Sequence, residues 1–213
     1  MQTHRIAGQL IYSRAAAALA LLLLFTGGLA AQTPRPLIDI QSYDIDAVAD
    51  PASQTLQATA TVRFIAREPV TEAIFELHNG LAVSEITDGS GAVLSGSRYE
   101  SDFTIRVPFP AALADGQEAQ LTFAYSGQLK GYEGSPLEGV DVANLTTEGG
   151  WLLYPARWFP VNGFEADQFK ANIKIEVPAG YSVVGSGSGL RSETPNGTRF
   201  AFDFTQDSFP GSI

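Results

Sequence analysis

Apolar and polar residues alternate one for one along most of the chain after residue 37. Leu56, Ala58, Ala60, Val62 and Phe64 interleave with Gln57, Thr59, Thr61 and Arg63, the period of a strand with one buried face. Residues 38–40 and 43–47 alternate likewise, and a slip of phase near Ser42 predicts a β-bulge between them. Asp50-Pro51 marks a turn. Two further apolar runs, 74–77 and 81–86, flank Asn79-Gly80, the dipeptide of a tight hairpin. Asp88-Gly-Ser-Gly91 then leads back into Val93 and Leu94. More strands are expected at 103–107, 119–125, 173–177, 181–184 and 199–204. Within them Leu121, Phe123 and Tyr125 share a face, as do Phe200, Phe202 and Phe204. No segment sustains a helical period, and only 111–114 and 160–169 are free to form a helical turn. With 21 glycines and 12 prolines punctuating short strands, the expected fold is an all-β antiparallel sandwich.

The first 31 residues follow a different pattern. Arg5 and Arg14 precede an apolar run at 15–25, and the small residues Gly27, Gly28, Ala30 and Ala31 follow. This is the layout of a secretory signal peptide cut after Ala30 or Ala31. The apolar run falls short of the about 20 residues that a membrane-spanning helix needs, so no stable membrane span is expected. An uncleaved N-terminal anchor is the competing reading. Residues 32–37, with Pro34 and Pro36, read as a linker, and 38–213 as one domain. The expected location is periplasmic or extracellular.

Charge and composition narrow the chemistry. The formal charge is −10, and losing Arg5 and Arg14 with the leader makes it −12. Such an anion is repelled by nucleic acid and by anionic membrane surfaces. The chain has no cysteine, which excludes disulfides and thiolate zinc sites. Of its two histidines, His4 leaves with the leader and His78 ends a strand beside the Asn79-Gly80 turn. One histidine cannot build a His-rich zinc site, and no His-Glu-x-x-His helix is present. The Gly-Ser-Gly-Ser-Gly run at 185–189 has the letters of a nucleophile elbow but sits between strands, where it reads as a hairpin turn. Asp39, Asp44 and Asp46 read as the solvated face of the first strands. Asn144-Leu-Thr146 and Asn196-Gly-Thr198 match the glycosylation pattern.

The segment Trp-Leu-Leu-Tyr-Pro-Ala-Arg-Trp-Phe-Pro at 151–160 concentrates both tryptophans of the chain. It reads either as an aromatic surface for a partner domain or ligand cleft, or as extended core packed under the Gly-rich loop 130–148.

The order of these pieces resembles the N-terminal domain of the aminopeptidase N family of zinc metallopeptidases. Tyr43-Asp-Ile45 followed by 56–64 is similar to that family's opening hairpin. Residues 75–86, Phe-Glu-Leu-His-Asn-Gly-Leu-Ala-Val-Ser-Glu-Ile, resemble its next pair of strands. Leu121-Thr-Phe-Ala-Tyr-Ser-Gly127 resembles its tyrosine-x-glycine strand end. Arg157-Trp-Phe-Pro160, the run 169–178 and Val183-Val-Gly-Ser-Gly187 resemble the pieces that follow. The resemblance covers roughly 38–213. It implies a saddle-shaped β-sandwich that braces a separate catalytic domain and walls the cleft for a peptide substrate. That catalytic domain, absent here, would carry the zinc ligands. The chain as given is therefore expected to be a non-catalytic fragment without a cofactor of its own. By the same resemblance Glu148, in Thr147-Glu148, would anchor a substrate's free amino group, although Gly149-Gly150 departs from the family's pattern there. Trp151, Tyr154, Trp158 and Phe159 would form the domain interface. The alternative is a free-standing exported β-sandwich that acts as a binding or surface-interaction module.

Overall fold

The computed structural model describes residues 38–130, 135, 138–162, 169–185 and 189–209, all within one compact unit, Arg35–Ile213. The expected leader and linker, the core of the 160–169 turn, the middle of the 185–189 run and the last four residues lie outside the described residues.

Among the described residues twelve strands carry the fold: β1 Ile38–Asp50, β2 Thr55–Ala66, β3 Val70–Glu76, β4 Leu81–Asp88, β5 Ser97–Tyr99, β6 Thr104–Leu113, β7 Glu118–Gln128, β8 Ala143–Thr146, β9 Gly149–Leu152, β10 Phe169–Pro178, β11 Gly189–Thr194 and β12 Gly197–Phe209. A 7-stranded sheet has the order β11-β12-β10-β1-β2-β7-β4, a 3-stranded sheet the order β3-β6-β5, and β8 and β9 pair as a separate hairpin. The all-β sandwich is thus as expected, and nearly all pairings are antiparallel. The one exception is β1 with β10, which run parallel from Ser42↔Lys170 to Val48↔Glu176. Parallel neighbours need a long connection, and over a hundred residues of chain separate these two. The expected bulge in β1 is present as a register shift between Ile40 and Ser42.

Alternation places the core on one face of the large sheet. Tyr43, Ile45, Leu56, Val62, Phe64, Leu121, Phe123, Ile173 and Phe202 are all buried there. The small sheet covers only the β2–β7 half, where Phe75 meets Phe123 edge to face at 5.1 Å and Phe64 at 6.4 Å. The β1–β10 half is roofed by Trp158 and Phe159 instead. Phe159 lies 5.1 Å from the Tyr43 ring, and Trp158 packs on Phe159 at 4.7 Å. The opposite face is solvated and cross-linked by charge. Arg63 donates to Asp44 at 2.5 Å, and Arg199 bridges Asp46 and Glu176 at 3.2 and 3.1 Å.

Three local expectations are corrected. Asn79-Gly80 does not close a hairpin, because β3 pairs with β6 whereas β4 pairs with β7. The turn carries the chain from one layer to the other. Its carbonyls are gathered by Arg98, which donates to Leu77 O at 3.0 Å and to Leu81 O at 2.6 Å. Gly127 is required at this crossing, since a Cβ there would fall 1.8 Å from Gly80 O. Residues 111–113 are the end of β6 and not a helical turn. Beyond β5 that stretch of β6 has an open edge, where Pro108 and Pro110 forfeit no ladder bond. Residues 181–184 form no strand, because β1 and β12 already occupy both edges of β10.

Candidate functional site

The β8–β9 hairpin turns at Thr147-Glu148. Its tip is held locally, with Thr146 Oγ1 donating to Gly149 O at 3.0 Å and accepting from Glu148 N at 3.3 Å. Gly150 lets the two strands close up, for a Cβ there would meet Asn144 O at 2.5 Å. The hairpin is fastened to the sandwich at one end of the central strands. Leu145 N donates to Leu129 O at 2.9 Å, Gln54 Nε2 to Leu145 O at 2.7 Å, and Tyr181 OH to Thr147 O at 2.9 Å. Gln54 reaches its partner from a left-handed backbone, φ 59°. Glu148 is thereby presented at an exposed tip of a braced hairpin, and among the described residues no cation pairs with its carboxylate.

Beyond the hairpin, the aromatic segment divides. Trp151 and Leu153 are 39% and 51% exposed, and the Trp151 ring is steadied by an Nε1 bond to Asp141 O at 2.8 Å. Tyr154 is half-buried. Pro155–Arg157 make one 3-10 turn, after which the chain dives inward. Trp158 and Phe159 are fully buried in this chain's own core and offer no surface to a partner. The end of the segment is extended and buried: Val161 pairs with Glu76 at the free edge of β3 and Asn162 Nδ2 donates to Ile74 O at 2.6 Å.

Arg157 fixes this docking. Its guanidinium is buried, donates to Glu76 Oε1 at 2.5 Å and to Ala156 O at 3.1 Å, and lies over the rings of Phe103 and Tyr154 at 4.7 and 5.3 Å. The Arg-x-x-Pro run is therefore a structural clasp. Its partner Glu76, like the corner residue Arg98, carried no signal in the sequence, because the residues each one holds are distant along the chain. His78 is buried too, and its Nδ1 accepts the Gly80 amide at 2.9 Å, a structural role at the layer crossing.

Concave spaces lie at both ends of the sandwich. A small apolar pocket of about 110 Å³ lies between the hairpin and the sheet, lined by Trp151, Leu145, Ile175, Tyr181 and Val183 among others. A wider cleft of about 670 Å³ opens at the far end of β2 and β7, between Arg63, Phe64, Glu118, Phe109 and Leu94.

No family model matches the chain, and no curated protein matches it either. Solved structures do. An M1 zinc metallopeptidase from Deinococcus radiodurans superposes with a TM-score of 0.68 at 22% identity, over 79% of this chain and 39% of that one. The fold is one found in M1 zinc metallopeptidases. A two-domain M1 zinc metallopeptidase mutant bound to L-tryptophan gives 0.70 at 22% identity, over 84% and 41% of the two chains. A Deinococcus radiodurans M1 mutant bound to a Tyr-Ser-Ala substrate gives 0.66 at 21%, over 78% and 39%. The chain thus spans about two fifths of the length of the M1 structures it matches. Among the described residues nothing fits the zinc named for those M1 proteins. Among the described residues no three His, Asp or Glu side chains converge as metal ligands, and the His78 Nδ1 lone pair is already spent on Gly80.

Proposed function

We propose that the chain is the non-catalytic N-terminal β-sandwich of an exported zinc metallo-aminopeptidase, bracing the catalytic domain and walling one side of its substrate cleft. The observation that carries this reading is the fold shared with M1 zinc metallopeptidases over about two fifths of their length. The exposed strip of Trp151 and Leu153 beside a braced hairpin supports it, since an apolar strip on a rigid mount suits a partner domain. The zinc would be held by a domain outside this chain and would supply a polarised water. This chain's own part is to dock through Trp151, Leu153 and Tyr154, and to present Glu148 to the substrate. A carboxylate at that tip would pair with the ammonium of a peptide's first residue.

The test is peptide hydrolysis by the longest product of the gene, with and without Glu148→Gln. Loss of one charge-assisted pair costs about 1.5–3 kcal/mol, so KM for peptides with a free amino group should rise about tenfold or more. Amino-acetylated peptides should be poor substrates for both forms. No peptidase activity in that product would overturn the enzyme reading. Unchanged KM in the variant would remove Glu148 alone. The wide cleft at the far end is the feature that favours the second reading, a free-standing binding module. That reading predicts a monodisperse monomer for residues 32–213 in light scattering, whereas an uncovered docking strip predicts self-association.

A further inference from the structure

The chain contains the dipeptide Asn-Gly three times, at Asn79-Gly80, Asn162-Gly163 and Asn196-Gly197; Gly163 lies outside the described residues, and the fold treats the other two in opposite ways. Both glycines are obligatory. A Cβ on Gly80 would lie 2.6 Å from Gln128 O, and one on Gly197 would lie 2.0 Å from Val177 O and 2.9 Å from Pro178 Cα. The fold therefore keeps the least hindered possible neighbour behind each asparagine.

What differs is how each asparagine is held. Asn79 is pinned from both ends of its amide, with Nδ2 donating to Glu100 O at 3.0 Å and Oδ1 accepting from Arg98 at 3.3 Å. The Gly80 amide is engaged as well, donating to His78 Nδ1 at 2.9 Å. Asn196 sits with Pro195 at the exposed tip between β11 and β12, flanked by the Thr194↔Gly197 pair. Among the described residues no side-chain hydrogen bond holds Asn196. Its hairpin includes β11, an edge strand with a single neighbour and no buried residue. Tips and edge strands of this kind open locally at low free energy.

We infer that Asn196 is a site of spontaneous deamidation in the folded protein, and that Asn79 is protected from it. The Gly197 amide nitrogen attacks Asn196 Cγ, a new N–Cγ bond forms, and the Cγ–Nδ2 bond breaks. Ammonia leaves with the Gly197 proton, giving a succinimide. Water then opens the ring at either carbonyl, to aspartate or to isoaspartate. One water is consumed, one ammonia is released, and nothing is oxidised or reduced. The isoaspartate product adds a methylene to the backbone where Gly197 is pressed against Val177 O, so the register of β11 on β12 should fail while β12 stays on β10.

The experiment incubates the full chain in mildly alkaline buffer and follows Asn79 and Asn196 by peptide mapping and mass spectrometry, in native buffer and in denaturant. Native Asn196 should convert at least about tenfold faster than Asn79, the ratio that about 1.4 kcal/mol of extra local opening cost at Asn79 would give. In denaturant the two rates should converge, and Asn196→Gln should abolish the native product. Equal native rates would overturn the inference, and so would a ratio that persists unchanged in denaturant.

Discussion

Two stretches of one aromatic segment, Trp151 to Leu153 and Arg157 to Asn162, each hold one tryptophan, and the two rings meet opposite fates. The first is a hairpin edge followed by a residue facing water. The second is a roof over the β1–β10 half of the core. Hydrophobicity does not separate them, since each contains a tryptophan. The element each joins does: residues 161–162 fill the free edge of β3 and Arg157 clasps Glu76, whereas β9 pairs with β8 and the Leu153 and Tyr154 amides donate to Val142 O beside it. The stretch fastened to the small sheet is buried, and the one fastened only to its own hairpin and to Val142 leaves Trp151 and Leu153 exposed.

The largest effect should come from Trp158→Ala, which opens a cavity under Tyr43 and Phe159. It should lower stability by about 3–5 kcal/mol in denaturant unfolding. Trp151→Ala, which gives up one exposed ring and one hydrogen bond, should cost about 1 kcal/mol or less. Similar losses at both tryptophans would break the comparison. Next, Arg157→Met strands the Glu76 carboxylate in a half-buried site and should cost about 3 kcal/mol. Adding Glu76→Gln should recover part of it, a coupling that a double-mutant cycle reads directly. Smaller still, Asn162→Ala removes the bond to Ile74 O and should cost about 1 kcal/mol, with faster amide exchange confined to β3.

The smallest effect is one of pH, on the solvated face. Burial raises the pKa of Asp44, but hydrogen bonds from Arg63 and Asn172 and the charges of Arg63 and Lys174 outweigh it, so the carboxyl lies below its usual range. A depressed folded pKa gives stability that is complete above the unfolded value and lost as pH falls through the folded one. Asp44→Asn should therefore flatten the acid limb of a stability–pH profile below the ordinary aspartate range, and leave neutral pH nearly unchanged.

Strand positions were legible because β1, β2, β7, β10 and β12 each bury one face, which imprints a period of two. Which strands share a sheet was not legible. Asn79-Gly80 looks like any hairpin, and its use as a crossing between layers depends on Arg98 and on Gly127, residues 17 and 40 or more positions away from the segment they hold. The parallel β1–β10 pair is equally silent, since alternation carries no strand direction. Glu148, singled out by resemblance, lies at an exposed hairpin tip. The aromatic segment was legible as a unit, but not its division, because Glu76 and Arg157 meet across 81 positions.

The central claim is that Trp151 and Leu153 are covered by another domain of the same protein and that Trp158 needs no such cover. Hydroxyl-radical footprinting read by mass spectrometry compares residues 32–213 alone with the longest product of the gene. The account predicts strong labelling of Trp151 in the short form, marked protection in the long one, and little labelling of Trp158 in either. Equal labelling of Trp151 in both forms would contradict it.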